Sequence, residues 1–310
     1  MNDPGFADDY GALRGGVGAL DLGRDVVRVQ GPDASEYLQG QCSQDIASLD
    51  TGASADALLL SPQGKLDALV RVTRAGEDDY AVDVDAGYGA AVVARLSRFK
   101  LRVKVDITLT DWTCLSLRGP AAAELVHRGS LPPGTALVVP FDWGGVVGVD
   151  LMGADPEMPA AVRRCGPESW QSLRVEAGIP VMGSELDERT IAAEADLLKR
   201  CVSFTKGCYT GQELVARLDA RGNKVARRLR GLVMDGPAAA TAPPAAGAEV
   251  VVGDKTVGHL TSVAWSLALG ATVALAYLHR QVEPPCPVDV VLGDPGASVL
   301  HAEARLLPLI

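Results

Sequence analysis

Hydrophobic and polar positions alternate irregularly between strand-like and helix-like periods over the N-terminal part of the chain. The runs VVRVQ at 26–30 and YAVDV at 80–84 repeat with a period of two, which is typical of strands. Residues 55–72 form a hairpin pattern whose turn is SPQG at 61–64. The further predicted elements are strands at 103–107 and 113–117 and a helix at 89–99. This mixture predicts an α+β core.

Two helices carry their own start and stop signals. In GPDASEYLQ, Asp33 occupies the position of an N-cap and Glu36 follows three residues later, as in a capping box. In PESWQSLRVEAGIP, a helix begins near Pro167 and ends at Gly178, with Pro180 beyond it as a stop. Both helices are therefore predicted with defined ends.

The pattern changes after a Pro- and Ala-rich stretch at 236–248, which we interpret as a loop or linker. Only short strand-like runs separated by Gly and Pro follow it, a pattern that predicts a small closed barrel or sandwich. RRLRGLVM at 227–234 is a candidate for its first strand. We therefore predict a region at 1–225, made of two intertwined subdomains, and a C-terminal β-barrel at 226–310.

The longest uncharged run in the C-terminal region, residues 256–278, has the length of a membrane span. Thr, Ser, Gly and His interrupt it repeatedly, and Gly270 separates two strand-like halves. The pattern favours a β-hairpin over a membrane span, so no contact with a membrane is predicted.

Composition limits the class of protein. The 310 residues are 47% hydrophobic, which is enough for a substantial core. The N-terminus is acidic and Gly-rich and has no export signal, so a cytoplasmic location is expected. The six cysteines form no CxxC pair and the four histidines are scattered, so free thiols and no metal site are expected.

Positive charge is concentrated in one segment of an acidic chain. The formal net charge is −10, yet residues 199–230 contain nine Lys or Arg against two acids. Such a run is commonly a solvated helix face, and the sharper interpretation is an anion-binding site.

KGCYTGQE at 206–213 lies within this basic segment. Thr210 and Glu213 fit a capping box, which predicts a helix start, and Tyr209 and Leu214 fit a hydrophobic staple. Cys208 precedes the cap, where the helix N-terminus and Lys206 would both favour its thiolate. A cysteine that only packs is the alternative, and the local sequence does not decide between them.

KGCYTGQE, with RVEAGIPVMGSELDERTIAAE before it and VARLDARGNKVARRLRGL after it, resembles the YgfZ family of folate-binding proteins. That family is related to the aminomethyltransferase (T-protein) of the glycine cleavage system and to the mitochondrial iron–sulfur assembly factor. The similarity extends from VQGPDASEYLQGQCSQDI to VGHLTSVAWSLALGATVALAYL. It implies a GcvT-like α+β body that binds tetrahydrofolate, a C-terminal β-barrel and a role in making or repairing iron–sulfur proteins, including enzymes that modify tRNA.

The resemblance also implies individual site residues. Glu176 matches the Glu of the R(L/V)EAG motif, whose carboxylate accepts hydrogen bonds from the pterin ring. Because Glu176 lies in the last turn of its helix, the dipole opposes its charge, so either a partner compensates or the side chain faces water. Asp67 lies where the T-protein has two adjacent acids, but this chain keeps a single acid with Ala68 beside it, which puts full aminomethyltransferase chemistry in doubt.

Further assignments concern the folate tail and the motif. Arg228 matches the arginine that approaches the glutamate end of folate, and its basic neighbours would suit a polyglutamate tail. We assign Cys208, Lys206 and Asp67 to the catalytic group. The folate-binding group consists of Glu176, Arg228, Asp67 and Tyr209.

Two classes of function remain open at this point. The first is a folate-dependent maintenance factor or aminomethyltransferase-type one-carbon enzyme with a reactive Cys208, whose partners are iron–sulfur enzymes or their assembly machinery. The second is a non-catalytic protein that recruits a partner or RNA through the basic segment. Aromatic content of 5% and the lack of an RNP motif make nucleic acid the weaker prediction.

Overall fold

The computed structural model describes residues 4–128, 131–234, 236, 239, 242–293 and 299–310 of the chain. Its helices are α1 (Pro4–Gly15), α2 (Ala34–Gln41), α3 (Gly89–Arg98), α4 (Ala122–Arg128), α5 (Pro167–Ala177), α6 (Leu198–Cys201) and α7 (Gln212–Ala220). Its strands are β1 (Gly18–Leu20), β2 (Arg24–Gln30), β3 (Ser54–Leu60), β4 (Leu66–Gly76), β5 (Asp79–Asp85), β6 (Asp106–Leu109), β7 (Thr113–Arg118), β8 (Thr135–Trp143), β9 (Val146–Gly153), β10 (Arg163–Arg164), β11 (Arg227–Met234), β12 (Glu249–Val252), β13 (Lys255–Ser266), β14 (Ala271–His279), β15 (Cys286–Val291) and β16 (Val299–Arg305).

Two five-stranded sheets form the body of the molecule. The first sheet has the order β3-β4-β5-β2-β6, and every neighbouring pair in it is antiparallel. The second has the order β10-β1-β7-β9-β8, in which the β1–β10 pair is parallel and the others are antiparallel. The α+β class predicted from the sequence is confirmed.

The first sheet is buried on both faces. Successive side chains of each strand point to opposite faces, so the strands contribute to two cores. On one face, Val70 and Val72 of β4 pack with Leu38 of α2 and with Val92 and Leu96 of α3. The opposite face meets the second sheet through a small apolar cluster composed of Val26, Ala81, Cys114, Val139 and Met152. The two sheets therefore lie against each other, which places their inward-facing charged residues side by side.

A closed six-stranded barrel follows, with the order β11-β14-β13-β12-β15-β16. The barrel alternative of the sequence prediction is confirmed, including β11 as its first strand and the β13–β14 hairpin at Gly270. None of the helices in the described residues has the length and apolar run needed to cross a bilayer. The predicted linker at 236–248 lies partly outside the described residues.

Helix α5 connects the body to the barrel. Val175 of α5 shares a core with Leu229 and Val233 of β11 and with Leu275 of β14. The helix ends as predicted, at Gly178, whose left-handed φ of 69° forms the C-cap. Beside it, the buried Arg174 donates to Glu185 Oε2 at 3.1 Å and to the hydroxyl of Ser262 on β13.

The predicted capping box at Thr210 and Glu213 is wrong. Helix α7 begins at Gln212 with Gly211 as its N-cap, at a φ of 84°. A Cβ on Gly211 would lie 2.6 Å from the carbonyl oxygen of Ser61, so the turn needs a glycine here. The Tyr209 N–H donates to Gln212 Oε1, while the Thr210 N–H donates to the Gly40 carbonyl. The start of α7 is therefore set by the packing of Gly211 against the β3–β4 hairpin and not by a capping box at Thr210.

The helix predicted after Asp33 is confirmed, but its capping box does not form. Asp33 is the N-cap residue and makes no side-chain hydrogen bond to its own helix. Its carboxylate instead accepts from the Lys104 N–H at 2.7 Å. The side chain therefore ties the start of α2 to the segment before β6.

Candidate functional site

A buried ion network lies where the two sheets meet. Arg71 of β4 donates to Asp83 of β5 at 3.1 Å and to Asp150 of β9 at 2.7 Å. Arg118 of β7 lies 2.8 Å from the other oxygen of Asp150, which also accepts from the Ser116 hydroxyl at 2.6 Å. Burial alone would raise the pKa of Asp150, but Arg118 and Arg71 lower it overall. Asp150 is therefore a carboxylate that bridges two cations.

Beside this network is a cavity of about 310 Å³. Its aromatic wall consists of Phe141 and Trp143 of β8 and Trp170 of α5. Its charged wall consists of Arg24, Asp56, Arg71, Asp85, Arg118 and Asp150. Ile179, Pro180 and Val181 close it from the segment after α5. A cavity of this size with aromatic faces and both signs of charge suits a small planar ligand. We call it the intersheet cavity.

Arg118 and Asp150 are the most enclosed charged residues of the cavity, each with 1% exposure. The Arg118 guanidinium lies 3.9 Å from the ring centroid of Phe141 and 5.5 Å from that of Trp170. Its Nε has no hydrogen-bond partner among the described residues. The aromatic contacts therefore hold this cation where one donor remains available.

Two carboxylates of the cavity are partly accessible. Asp85 accepts from Arg24 Nη1 and from the Met182 N–H, each at 2.9 Å, and its side chain is 28% exposed. Asp56 is 17% exposed and accepts from Arg200 Nε at 2.5 Å. Each carboxylate retains capacity to accept further hydrogen bonds.

Sequence reasoning missed every charged residue of this cavity. Their signal was a single charge inside an apolar strand pattern, as at Arg71 in LVRV and Asp150 in VGVDLM. Asp83 in AVDV, which is a partner of Arg71, shows the same pattern. A charge at such a position must be paired or hydrogen-bonded when the strand is buried on both faces. The pattern could have identified the residues, although not which of them pair with each other.

In the KGCYTGQE segment, Lys206 is a structural residue. Its Nζ donates to the carbonyl oxygens of Gln39 at 2.5 Å, Cys42 at 2.7 Å and Gln44 at 2.9 Å. Burial lowers its pKa, and Cys42 and Asp45 oppose that shift. Because all three donors of the ammonium group are used, Lys206 fixes the segment to the C-terminal end of α2.

Cys208 differs from the other cysteines by its exposure. Cys42, Cys114, Cys165 and Cys201 are buried, Cys286 is partly buried, and Cys208 is exposed. Burial raises the pKa of the Cys42 and Cys114 thiols to about 12. The next residue, Tyr209, packs against the core shared with the barrel, and burial raises its pKa to about 12. The segment therefore presents the thiol to solvent while the neighbouring ring anchors it.

Asp67 lies at the start of β4 and is paired with a cation from α3. Arg95 Nε donates to Asp67 Oδ2 at 2.7 Å, and its other nitrogens donate to Gln41 Oε1 at 3.0 Å and to the Leu60 carbonyl at 2.8 Å. The guanidinium is stacked 4.3 Å from the Phe99 ring centroid. Both residues line a separate cavity of about 470 Å³. Lys206 and Asp67 therefore approach the same end of α2, through different partners.

Glu176 is buried, with 1% exposure, at the C-terminal end of α5. The hydroxyl of Tyr10 in α1 donates to it at 3.0 and 2.9 Å, and Arg14 Nη2 lies 3.7 Å away. Burial raises the pKa of Tyr10, and the charge of Glu176 raises it further. Compensation for the opposing helix dipole thus comes from α1.

Arg228 lies at the start of the barrel. It donates to the carbonyl oxygens of Asn223 at 2.5 Å and Ala193 at 3.5 Å. Burial and the charge of Arg228 lower the pKa of Arg230, whose Nε has no partner among the described residues. The predicted site residues therefore occupy four places: the KGCYTGQE segment, the Asp67–Arg95 pair at the start of β4, the α1–α5 contact and the start of the barrel.

Two family models match separate parts of the chain. The family model of the GCVT N-terminal domain matches residues 2–131, and that of the glycine cleavage T-protein C-terminal barrel domain matches residues 227–298. An uncharacterized protein of Haemophilus influenzae is 28% identical over 200 residues, which cover 64% of this chain and 66% of that protein. An aminomethyltransferase of Rubrobacter xylanophilus is 27% identical over 307 residues, covering 90% of this chain and 80% of that protein.

A solved structure shares the whole fold. The crystal structure of glycine cleavage system aminomethyltransferase T from Bartonella henselae matches with a TM-score of 0.83 over 99% of this chain and 90% of that chain. The sequence identity is 21%, so the likeness establishes the fold. The fold predicted from the sequence, a GcvT-like body with a C-terminal barrel, is confirmed.

Proposed function

We propose that this chain, which is built from the two glycine cleavage T-protein domains, binds tetrahydrofolate with the pterin ring in the intersheet cavity. The observation that carries the proposal is the wall of that cavity, where aromatic rings adjoin partly accessible carboxylates. A pterin has a flat ring to stack and a 2-amino-pyrimidinone edge that donates two parallel N–H bonds. Carboxylates are acceptors, and aromatic faces bind flat rings.

Glu176 is the second proposed contact to folate, on the strength of the RVEAG motif, and it lies at the α1–α5 contact, outside the residues that line the intersheet cavity. Its carboxylate is occupied by the Tyr10 hydroxyl, so a folate contact requires α1 to release it. Asp85 and Glu176 therefore differ in what must move before each can accept from folate. Asp85 is open to the cavity, whereas Glu176 becomes available only after Tyr10 moves.

Calorimetric titration with tetrahydrofolate tests the proposal. Asp85→Asn and Glu176→Gln each replace an acceptor-only group by one that also donates, and a charge-assisted hydrogen bond contributes about 1.5–3 kcal/mol. We therefore expect Asp85→Asn and Glu176→Gln each to weaken binding by about tenfold or more. Asp187→Asn, which changes an exposed pair with Arg189, is the matched control. A folded wild-type protein that binds no tetrahydrofolate would refute the proposal.

Polyglutamylated folate is the proposed natural form, with Arg228 and the basic segment at 199–230, apart from Arg200, which is paired with Asp56, receiving the tail. Pentaglutamate folate should bind more tightly than the monoglutamate at low salt, and the difference should shrink as salt screens the charges. Equal affinities at low salt would mean that the segment is only a solvated face.

We propose that the folate-bound protein supports iron–sulfur proteins through the thiol of Cys208. The family resemblance suggests this role, and the exposure of Cys208 supports it. Complementation of a strain that lacks the protein tests it, with Cys208→Ser as the variant. Full complementation by Cys208→Ser would contradict a chemical role for this residue.

Aminomethyl transfer is the second candidate, favoured by relatives that are named aminomethyltransferase. Asp67 would be the acid near the reacting nitrogen, but it is neutralised by Arg95 and lacks the neighbouring acid. Transfer of a one-carbon unit to tetrahydrofolate, lost in Asp67→Asn, would establish this candidate. Retention of RNA without folate would instead indicate the non-catalytic class.

A further inference from the structure

One arginine bridges the two sheets beside the intersheet cavity. Arg200 of α6 donates from Nε to Asp56 Oδ2 at 2.5 Å and from Nη2 to the carbonyl oxygen of Asp142. Its guanidinium lies 4.4 Å from the ring centroid of Trp143. Asp56 belongs to β3 in the first sheet, whereas Asp142 and Trp143 belong to β8 in the second.

Arg200 lies on the solvent side of these partners. Its side chain is 38% exposed, while that of Asp56 is 17% exposed. Asp56 and Trp143 both line the intersheet cavity. The guanidinium therefore contacts one carboxylate and one aromatic ring of the cavity wall from outside, and Arg200 is not itself among the residues that line the cavity.

The backbone of Arg200 is fixed while its side chain ends in exposed contacts. Gln44 Nε2 donates to the Arg200 carbonyl at 2.9 Å, and the Ser43 hydroxyl donates to the Cys201 carbonyl at 2.5 Å. Exposed ion pairs and cation–π contacts of this kind are individually weak. Rotation of the side chain away from the cavity therefore leaves α6 in place.

We propose that Arg200 is a side-chain cover of the intersheet cavity, which competes with the ligand for Asp56 and Trp143. The inference rests on the proposed function, because the ligand is the pterin of reduced folate. Asp56 supplies an acceptor and Trp143 supplies a ring face, which are the two features that a pterin requires. Binding therefore needs the guanidinium to leave, and the closed population reduces the observed affinity. Arg200 is a positioning residue in this scheme.

Arg200→Gln should tighten tetrahydrofolate binding by about fivefold, because the loss of weak contacts opens the cover. Stopped-flow tryptophan fluorescence should show the association rate constant rising by that factor, with the dissociation rate constant unchanged. Arg200→Lys keeps the charge but loses the forked guanidinium. Its affinity and association rate constant should therefore lie between those of the wild type and those of Arg200→Gln. Weaker binding, or an unchanged association rate, would overturn the proposal, since a direct ligand contact would raise the dissociation rate instead.

A second measurement is independent of folate. With Trp112 and Trp265 replaced by Phe, the remaining tryptophans are Trp143 and Trp170, which both line the cavity. Arg200→Gln, or Arg200→Lys if the glutamine variant does not fold, should increase acrylamide quenching. Arg189→Gln makes the same charge change at an exposed site and should leave quenching unchanged. If tetrahydrofolate does not bind, increased quenching still supports the cover, and unchanged quenching refutes it.

Discussion

The intersheet cavity and the KGCYTGQE segment hold their charges in opposite ways. In the cavity, Arg71 is paired with Asp83 of its own sheet and with Asp150 of the other sheet. In the segment, Lys206 is held by three backbone carbonyls of residues 39–44. The first arrangement depends on side chains that the complete fold brings together, and the second on the path of the backbone. Removal of one charge should therefore destabilise the protein at the cavity, and a change of backbone geometry should destabilise it at the segment.

Asp150→Ala should have the largest effect on stability. It leaves the buried guanidinium groups of Arg71 and Arg118 without a shared partner, and breaking a buried pair in this way costs about 3–5 kcal/mol. Urea denaturation followed by circular dichroism measures the loss. Asp21→Ala, which removes an exposed pair with Arg164, is the control and should cost at most about 1 kcal/mol. Equal losses in the two variants would contradict the difference in burial.

The same carboxylate predicts a pH dependence. Asp150 has a lowered pKa in the folded protein, so the unfolded chain binds its proton more readily as the pH falls. Its contribution to stability should be fully present above the unfolded value of about 3.9 and should be lost as the pH falls through the folded value. Denaturation midpoints measured between about pH 6 and pH 2 should fall less steeply in Asp150→Asn than in the wild type. Parallel pH profiles would contradict the role of Asp150.

Gly211→Ala should be the next largest change and should act on the segment. The position has a φ of 84°, and a Cβ there would meet Ser61 O at 2.6 Å and Leu60 Cβ at 2.7 Å. A non-glycine residue in such a conformation costs about 1–3 kcal/mol, before the clash is relieved. Gly52→Ala is a matched control, since Gly52 also has a positive φ but open space around it. A loss no greater than that of Gly52→Ala would show that the contact with the hairpin is unimportant.

The sequence predicted the elements better than the site because the two depend on different information. The β3–β4 turn, the barrel and the end of α5 at Gly178 all follow from local patterns of apolar residues, Gly and Pro. The capping box at Thr210 failed because a hairpin distant in sequence decides where α7 begins. The pairing of Arg71 with Asp150 joins residues 79 positions apart, which no local pattern encodes.

The predicted site residues show the same limit. The helix dipole indicated that Glu176 has either a compensating partner or a side chain that faces water, but nothing in the sequence indicates that Tyr10 is the partner. The assignments of Glu176, Asp67, Arg228, Tyr209 and Cys208 remain predictions. The structure adds a cavity whose residues were missed, and Lys206 gains a structural task that uses all its donors.

Thr210→Ala should have a small effect, within about 0.5 kcal/mol, because the cap that would have made it costly is absent. The Thr210 N–H that donates to the Gly40 carbonyl is retained in alanine. The free energy of unfolding, compared with that of Gly211→Ala, measures the contrast between neighbouring residues. A loss of about 1 kcal/mol or more would restore Thr210 as a cap.

Cys208→Ser should change stability least, because its thiol is exposed and the segment is anchored by Lys206 and Tyr209 on either side. A surface substitution of this kind is expected to alter the free energy of unfolding by no more than about 0.5 kcal/mol. In the native wild type, alkylation should reach Cys208 first, since four of the other cysteines are buried. Peptide mapping after brief iodoacetamide treatment measures the order, and denatured protein, in which all six cysteines should react, is the control. If Cys42 reacted as fast as Cys208, its burial beside Lys206 would be transient, and the segment would be no more rigid than a solvated loop.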